Sequence, residues 1–300
     1  MAEKRDCGSG AIGILLAGGR AGEDKATIRK ISKREEIATM EKILAYKRSG
    51  PASELPLVLL HALPLDGSMW DRVRLLLNDI DVLTVDAPGF GSSRPGQEFS
   101  TTGNISAYVE ALKNTLAKLG IEKITLGGLS MGGVAAAAFT CSHYAQVRAL
   151  ALMDTNIAAD TAAQRARRQE IIAQAAQGQG KIALSDWPET MLSPAATAEI
   201  RQDLRLRLAD IPEDGLKWAQ EAMAGRLSYE AAVEKISGPL YLIRGSDDPT
   251  CARAALAAWA ERSTNAQLRE IPAAGHFTAL ENPPALAKIL REFYAAARAA

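Results

Sequence analysis

From Leu55 onward, short apolar runs alternate with stretches of helical periodicity. "LPLVLLHA" (55–62) is a continuous apolar run, the way a strand buried on both faces reads. "DVLTVDAPGFG" (81–91) is a second strand that ends in a Pro/Gly turn. "NISAYVEALKNTLAKLG" (104–120) has helical spacing and a glycine stop at Gly120. Further strands are predicted at 123–128, 147–154, 238–245 and 266–272, with helical patterns between most of them. Strands that alternate with helices imply an α/β fold, a mostly parallel sheet with helices on both faces.

One gap breaks the rhythm. Between Asp154 and Ser237 no strand can be read, whereas 161–177, 194–210 and 214–225 all look helical. A helical insert that leaves the carboxyl end of a strand would roof the place where open α/β sheets bind ligands. The expected organisation is an N-terminal extension over 1–39, a core of 40–153 and 237–300, and a helical cap over 154–236.

Composition narrows the picture. The chain has 300 residues, suited to one large domain with an inserted subdomain, and at 47% hydrophobic it can bury a sizeable core. Its 35 basic and 35 acidic residues cancel, so no net field favours nucleic acid or an anionic membrane. Cys7, Cys141 and Cys251 are odd in number, far apart and without a CxxC pair, which fits a reducing cytoplasm. "AIGILLAGG" (11–19) is too short to span a bilayer and only faintly resembles a secretory signal. "GSGAIG" (8–13) matches GxGxxG, but no strand precedes it, so it is a decoy. "MEKILAYKRSG" opens a more regular pattern, and translation is expected to start naturally at Met40, with 1–39 dispensable.

The chemistry concentrates in "GGLSMGG" (127–133). Gly128-Leu129-Ser130-Met131-Gly132 is G-x-S-x-G, with a strand before it and an alanine-rich helix after it. That context makes a nucleophile elbow, a sharp turn that exposes the serine oxygen above the sheet. A serine hydroxyl needs a base to take its proton. His143 lies about three helical turns along the next helix, too far to reach Ser130. His276, in "PAAGHFTALENPP", follows the last strand and is the expected base. His61 precedes the nucleophile and is expected to brace its loop. A carboxylate must orient the histidine. "LIRGSDDPT" (242–250) offers two, of which Asp248 is favoured and Asp247 is the rival. Acyl transfer also needs oxyanion donors, expected at the backbone N–H groups of Met131 and Leu63.

Together, "HALPLDGSMW", "DAPGFGSS", "GLSMGG", "GSDDP" and "GHFTALENPP" resemble the α/β-hydrolase superfamily in order and spacing, over roughly 40–153 and 237–300. The resemblance implies an eight-stranded, mostly parallel sheet, a helical cap and no cofactor or metal. It departs at Ala62, where many members have glycine. The cap entrance (154–171) looks like small bacterial esterases, enol-lactonase-like enzymes and cofactor-free haloperoxidases. Trp187 and Trp218 are candidate pocket residues.

The expected function is hydrolysis of a small-molecule ester through an acyl-enzyme on Ser130. The alternatives are an enol-lactone hydrolase, a perhydrolase that uses peroxide in place of water, and a non-enzymatic ligand-binding protein on the same fold. A 3-oxoadipate enol-lactone carries a carboxylate and wants a cation over the pocket. Residues 154–163 contain no Lys or Arg, with Arg165 the first, which counts against that substrate. Dehalogenase and epoxide hydrolase chemistry is disfavoured, because those relatives use an aspartate nucleophile where this chain has Ser130.

Overall fold

The computed structural model describes residues 42–300. The expectations for 1–39 and Cys7 lie outside them. Seven strands form one sheet among the described residues: β1 (Tyr46–Ser49), β2 (Leu57–Leu60), β3 (Val82–Val85), β4 (Ile124–Leu129), β5 (Val147–Met153), β6 (Leu240–Gly245) and β7 (Ala266–Ile271). Their order is β1-β3-β2-β4-β5-β6-β7. Every pairing is parallel except β1 with β3. The sheet thus has seven strands here, where the resemblance implied eight.

Seven helices of eight residues or more accompany the described sheet: α1 (Ile105–Lys118), α2 (Met131–His143), α3 (Ala162–Ala175), α4 (Ala198–Ala209), α5 (Glu213–Ala224), α6 (Arg253–Ala260) and α7 (Pro283–Ala299). Local chemistry starts several of them. The Asn104 side chain accepts from the Ala107 N–H and caps α1, and Asn282 caps α7 through Ala285. Thr161 and Gln164 form a capping box that opens α3. α2 packs on β2, β4 and β5, with α1 against it, while α7 packs on β5 and β7. The central strands are therefore covered on both faces, and every residue of β2, β3, β4 and β6 is buried.

Between β5 and β6 the chain holds α3, α4, α5 and short helical turns, with no strand. α3 packs on α5. No helix of the described residues is long and apolar enough to cross a membrane. Cys141 and Cys251 are buried thiols that form no disulfide among the described residues.

Candidate active site

The turn from β4 into α2 leaves room for backbone only. A Cβ on Gly128 would lie 2.1 Å from the Gly132 carbonyl oxygen, and one on Gly132 would lie 2.3 Å from that of Leu60. Ser130, between them, takes φ 54° and ψ −116°. That left-handed conformation is costly for a residue with a side chain. Neighbours hold it in place. The Ser130 N–H donates to the Met153 carbonyl at 2.9 Å, and its own carbonyl accepts from Thr155 Oγ1 at 2.8 Å.

Ser130 Oγ lies 2.9 Å from His276 Nε2. His276 Nδ1 lies 3.1 and 3.2 Å from the two carboxylate oxygens of Asp248. Both partners are nearly buried, at 4% and 6% exposure, so water screens the pair little. With Nδ1 facing a carboxylate, the neutral ring carries its proton there, and Nε2 is left to accept from Ser130. Burial alone would raise the Asp248 pKa. The charge and hydrogen bond of His276, together with the Thr250 N–H and hydroxyl, outweigh it and hold the carboxyl at about 2.

Two residues of this network escaped the sequence reading. Thr250 Oγ1 donates to Asp248 Oδ1 at 2.9 Å and lies 2.9 Å from His276 Nδ1. A Thr two residues after an Asp is the spacing of a local side-chain turn, and that signal was available. Arg244 donates to the carbonyls of Cys251 and Asp248, at 2.8 and 3.3 Å, and shapes the loop from within.

The two candidate acids separate cleanly. Asp248 faces His276, whereas exposed Asp247 accepts a 2.6 Å hydrogen bond from Ser193 Oγ. The other histidines stand elsewhere. His61 is fully buried; its Nε2 accepts from the Ala87 N–H at 2.8 Å, and burial pushes its pKa down. His143 ends α2, stacked on Phe139 at 4.8 Å.

Ser130 and His276 open into a cavity of about 270 Å³. Leu63 lines it beside them. Met131 is the first residue of α2, where N–H groups have no acceptor within the helix. Trp187 lines the cavity and tilts against Phe277, with ring centroids 6.1 Å apart. Trp218 does not line it, contrary to expectation. Its ring is 2% exposed and fills the space a Cβ on Gly96 would need, and its Nε1 donates to the carbonyl and hydroxyl of Ser100, each at 3.2 Å.

The cavity wall away from the sheet is mixed: Asn156, Gln164, Arg167, Arg168, Gln220 and Arg226 stand there beside apolar Ile171, Trp187, Met191 and Met223. The lack of Lys and Arg in 154–163 therefore does not leave the pocket without cations. The cations come from beyond 154–163, carried in by helix packing. Asp160, fully buried, is shared between Arg168 Nε at 2.5 Å and Arg226 Nη2 at 2.7 Å. Arg168 also donates to Gln220 at 2.8 Å, and Arg226 to the Ala158 carbonyl at 3.0 Å. Two guanidinium groups face one carboxylate. Burial, offset by Asp160 and reinforced by Arg168, pushes the Arg226 pKa down to about 10.

The model of the alpha/beta hydrolase family matches residues 57–289. The chain belongs to the α/β-hydrolase family. The 2-succinyl-6-hydroxy-2,4-cyclohexadiene-1-carboxylate synthase of Pectobacterium atrosepticum is 29% identical over 244 residues, 79% of this chain and 92% of that protein. Among solved structures, a thermophilic esterase from Thermogutta terrifontis with malate bound superposes with a TM-score of 0.79 and 26% identity, over 85% of this chain and 93% of that one. The enol-lactonase from Burkholderia xenovorans LB400 superposes with a TM-score of 0.72 over 84% of this chain and 96% of that one. At 22% identity, that likeness concerns the fold. In this α/β hydrolase, then, five loops meet at the carboxyl edge of the sheet: Leu63 follows β2, Ser130 β4, Asp154 β5, Asp248 β6 and His276 β7. Open α/β sheets bind ligands at that edge.

Proposed function

We propose that this α/β hydrolase cleaves a small carboxylic ester or lactone bearing a free carboxylate, through an acyl-enzyme on Ser130. The observation that carries the reading is the unbroken line from Ser130 Oγ to His276 Nε2, 2.9 Å, and from His276 Nδ1 to Asp248, 3.1 Å. Ser130 attacks the carbonyl carbon as His276 takes its proton. The N–H groups of Leu63 and Met131 hold the oxyanion. His276 then protonates the departing alkoxide, and water, deprotonated by the same ring, releases the acid. Asp248 keeps the ring in its working tautomer and offsets the imidazolium charge.

The carboxylate on the substrate is argued from charge. Arg168 and Arg226 share one Asp160, which leaves one positive charge uncompensated beside the cavity. An anionic substituent supplies the missing charge and gains charge-assisted hydrogen bonds. The Thermogutta esterase was solved with malate, a dicarboxylate. The cavity, at about 270 Å³, limits the substrate to a small molecule.

The test is hydrolysis of p-nitrophenyl esters from acetate to octanoate, alongside the mono-p-nitrophenyl esters of succinate and glutarate. Turnover should fall with acyl length, favour the acidic esters and vanish in Ser130→Ala. Full activity in Ser130→Ala would overturn the assignment.

A second reading is favoured by the same arginines. The Pectobacterium relative is a synthase whose named product is a carboxylate. On that reading Ser130 and His276 act as a general base on a carboxylate-bearing substrate and no acyl-enzyme forms. Mass spectrometry of the quenched enzyme decides between the two. An acyl adduct on the Ser130 peptide supports hydrolysis, and its absence during turnover supports the synthase.

A further inference from the structure

Asp154 has no part in the chemistry above, yet it stands at its centre. It follows β5 directly, with φ 45°, a left-handed conformation for a residue with a side chain. Its backbone N–H donates to the Ile243 carbonyl at 2.9 Å, which fixes it against β6. Its side chain is fully buried and lines the floor of the cavity. Oδ1 accepts from the Gly245 N–H at 2.7 Å. Oδ2 accepts from Thr278 Oγ1 at 2.6 Å. Gly245 begins the turn that carries Asp248, and Thr278 stands two residues after His276. One carboxyl thus joins the loop of the acid to the loop of the base.

We propose that Asp154 is a positioning residue: its carboxyl clamps the Asp248 loop to the His276 loop and so sets the register of His276 between Asp248 and Ser130. The proposal rests on the acyl-enzyme reading for its consequence in turnover, while the geometric claim stands without it. The register matters because a misplacement of about 1 Å can cost roughly 100-fold in rate.

A buried carboxyl is an expensive clamp if charged. Burial, then the charges of Asp248 and Glu281, push the Asp154 pKa well up, against the two hydrogen bonds that lower it. A neutral carboxyl keeps the acceptor that Gly245 needs without setting a second anion behind Asp248. Asparagine reproduces the neutral form, in which the bond to Thr278 is reversed: the amide oxygen accepts from Gly245, and the amide nitrogen donates to Thr278 Oγ1 as a protonated Oδ2 would.

The test compares Asp154→Ala, Asp154→Asn and Thr278→Val in kinetics and in crystal structures, with Ser130→Ala alongside. In Asp154→Ala, kcat should fall roughly 100-fold while KM stays within about twofold, since the loss is of alignment. Asp154→Asn should recover kcat to within about threefold of wild type, as one neutral hydrogen-bonding group replaces another. Thr278→Val, which removes one arm of the clamp, should lose roughly tenfold. It carries the test together with Asp154→Asn if Asp154→Ala does not fold. An Asp154→Asn enzyme as slow as the alanine variant would overturn the clamp. So would an Asp154→Ala or Thr278→Val crystal structure that keeps His276 Nε2 at its wild-type distance from Ser130 Oγ. If wild type and Ser130→Ala turn over equally, the acyl-enzyme reading fails instead, and the His276 position in the variant structures still judges the clamp.

Discussion

The two walls of the cavity are built on different principles. The sheet wall completes itself. Ser130, His276 and Asp248 rise from loops after β4, β7 and β6, and each functional atom already has a partner at 2.9 to 3.2 Å. The backbone beneath is equally closed, as at Gly132, where even a methyl group would strike the Leu60 carbonyl. The helical wall does not complete itself. α3 buries only Ile171 and Ala175, and Arg168 and Arg226 share a single Asp160. On the proposed hydrolysis, the first wall is preorganised for bond-making before any substrate arrives, which is where electrostatic catalysis draws its strength. On the same proposal, the second is electrostatically finished only when an anionic substrate enters. The proposal thus divides chemistry from recognition between two parts of one chain.

The most severe break in that division is on the sheet wall. Ser130→Ala should lower kcat at least about 10⁴-fold on every ester tested, acidic or neutral, because the attacking atom is gone. Steady-state kinetics on both ester classes measures it. A loss confined to acidic esters would mean that the two walls are not divided as argued.

The next effect belongs to the helical wall and should be selective. Arg168→Gln keeps a donor toward Gln220 and leaves Asp160 its pair with Arg226. One charge-assisted hydrogen bond to the substrate is worth about 1.5–3 kcal/mol. kcat/KM for p-nitrophenyl succinate should therefore fall roughly 10- to 100-fold. The neutral acetate ester should change by no more than about threefold. Equal losses on both esters would place Arg168 in the chemistry or the fold, not in recognition.

The same division decides what could be read before any coordinates. The sheet strands announce themselves as apolar runs, since burial on both faces leaves no polar position, as in Leu57–Leu60. β1 does not. Its residues, Tyr46–Ser49, are exposed or half-exposed on an edge, so nothing apolar marks them. The elbow and the histidine loop are legible because backbone geometry dictates glycine and order along the chain. The arginine pair is not. Asp160, Arg168 and Arg226 are scattered along the sequence and meet only when α3 packs on α5, and helical periodicity does not say which helices pair. Trp218 misled for the same reason. An aromatic in a helix can face a ligand or a neighbour, and here it meets Gly96 and Ser100.

The smallest expected effect concerns stability, and it again separates the walls. Asp248 is held at about 2, below the usual carboxylate value of about 3.9 in an unfolded chain. Above about pH 4 both states are ionised and the native contacts of the carboxylate contribute fully. As pH falls through about 4 toward 2, the unfolded chain takes up its proton first, and roughly 2 kcal/mol of stability is lost. Asp154 has the opposite sign. Its pKa is raised in the folded protein, so the native state holds a proton that the unfolded chain releases. Stability from this group falls as pH rises above about 4 toward the raised native value. Urea unfolding followed across pH 2–8 should show both slopes in the wild type. Asp248→Asn should flatten the acid side, Asp154→Asn should flatten the side above pH 4, and Arg168→Gln should leave both intact. If Arg168→Gln abolished either slope, the helical wall would be coupled to the carboxyl groups beneath the serine, and the division between the walls would fail.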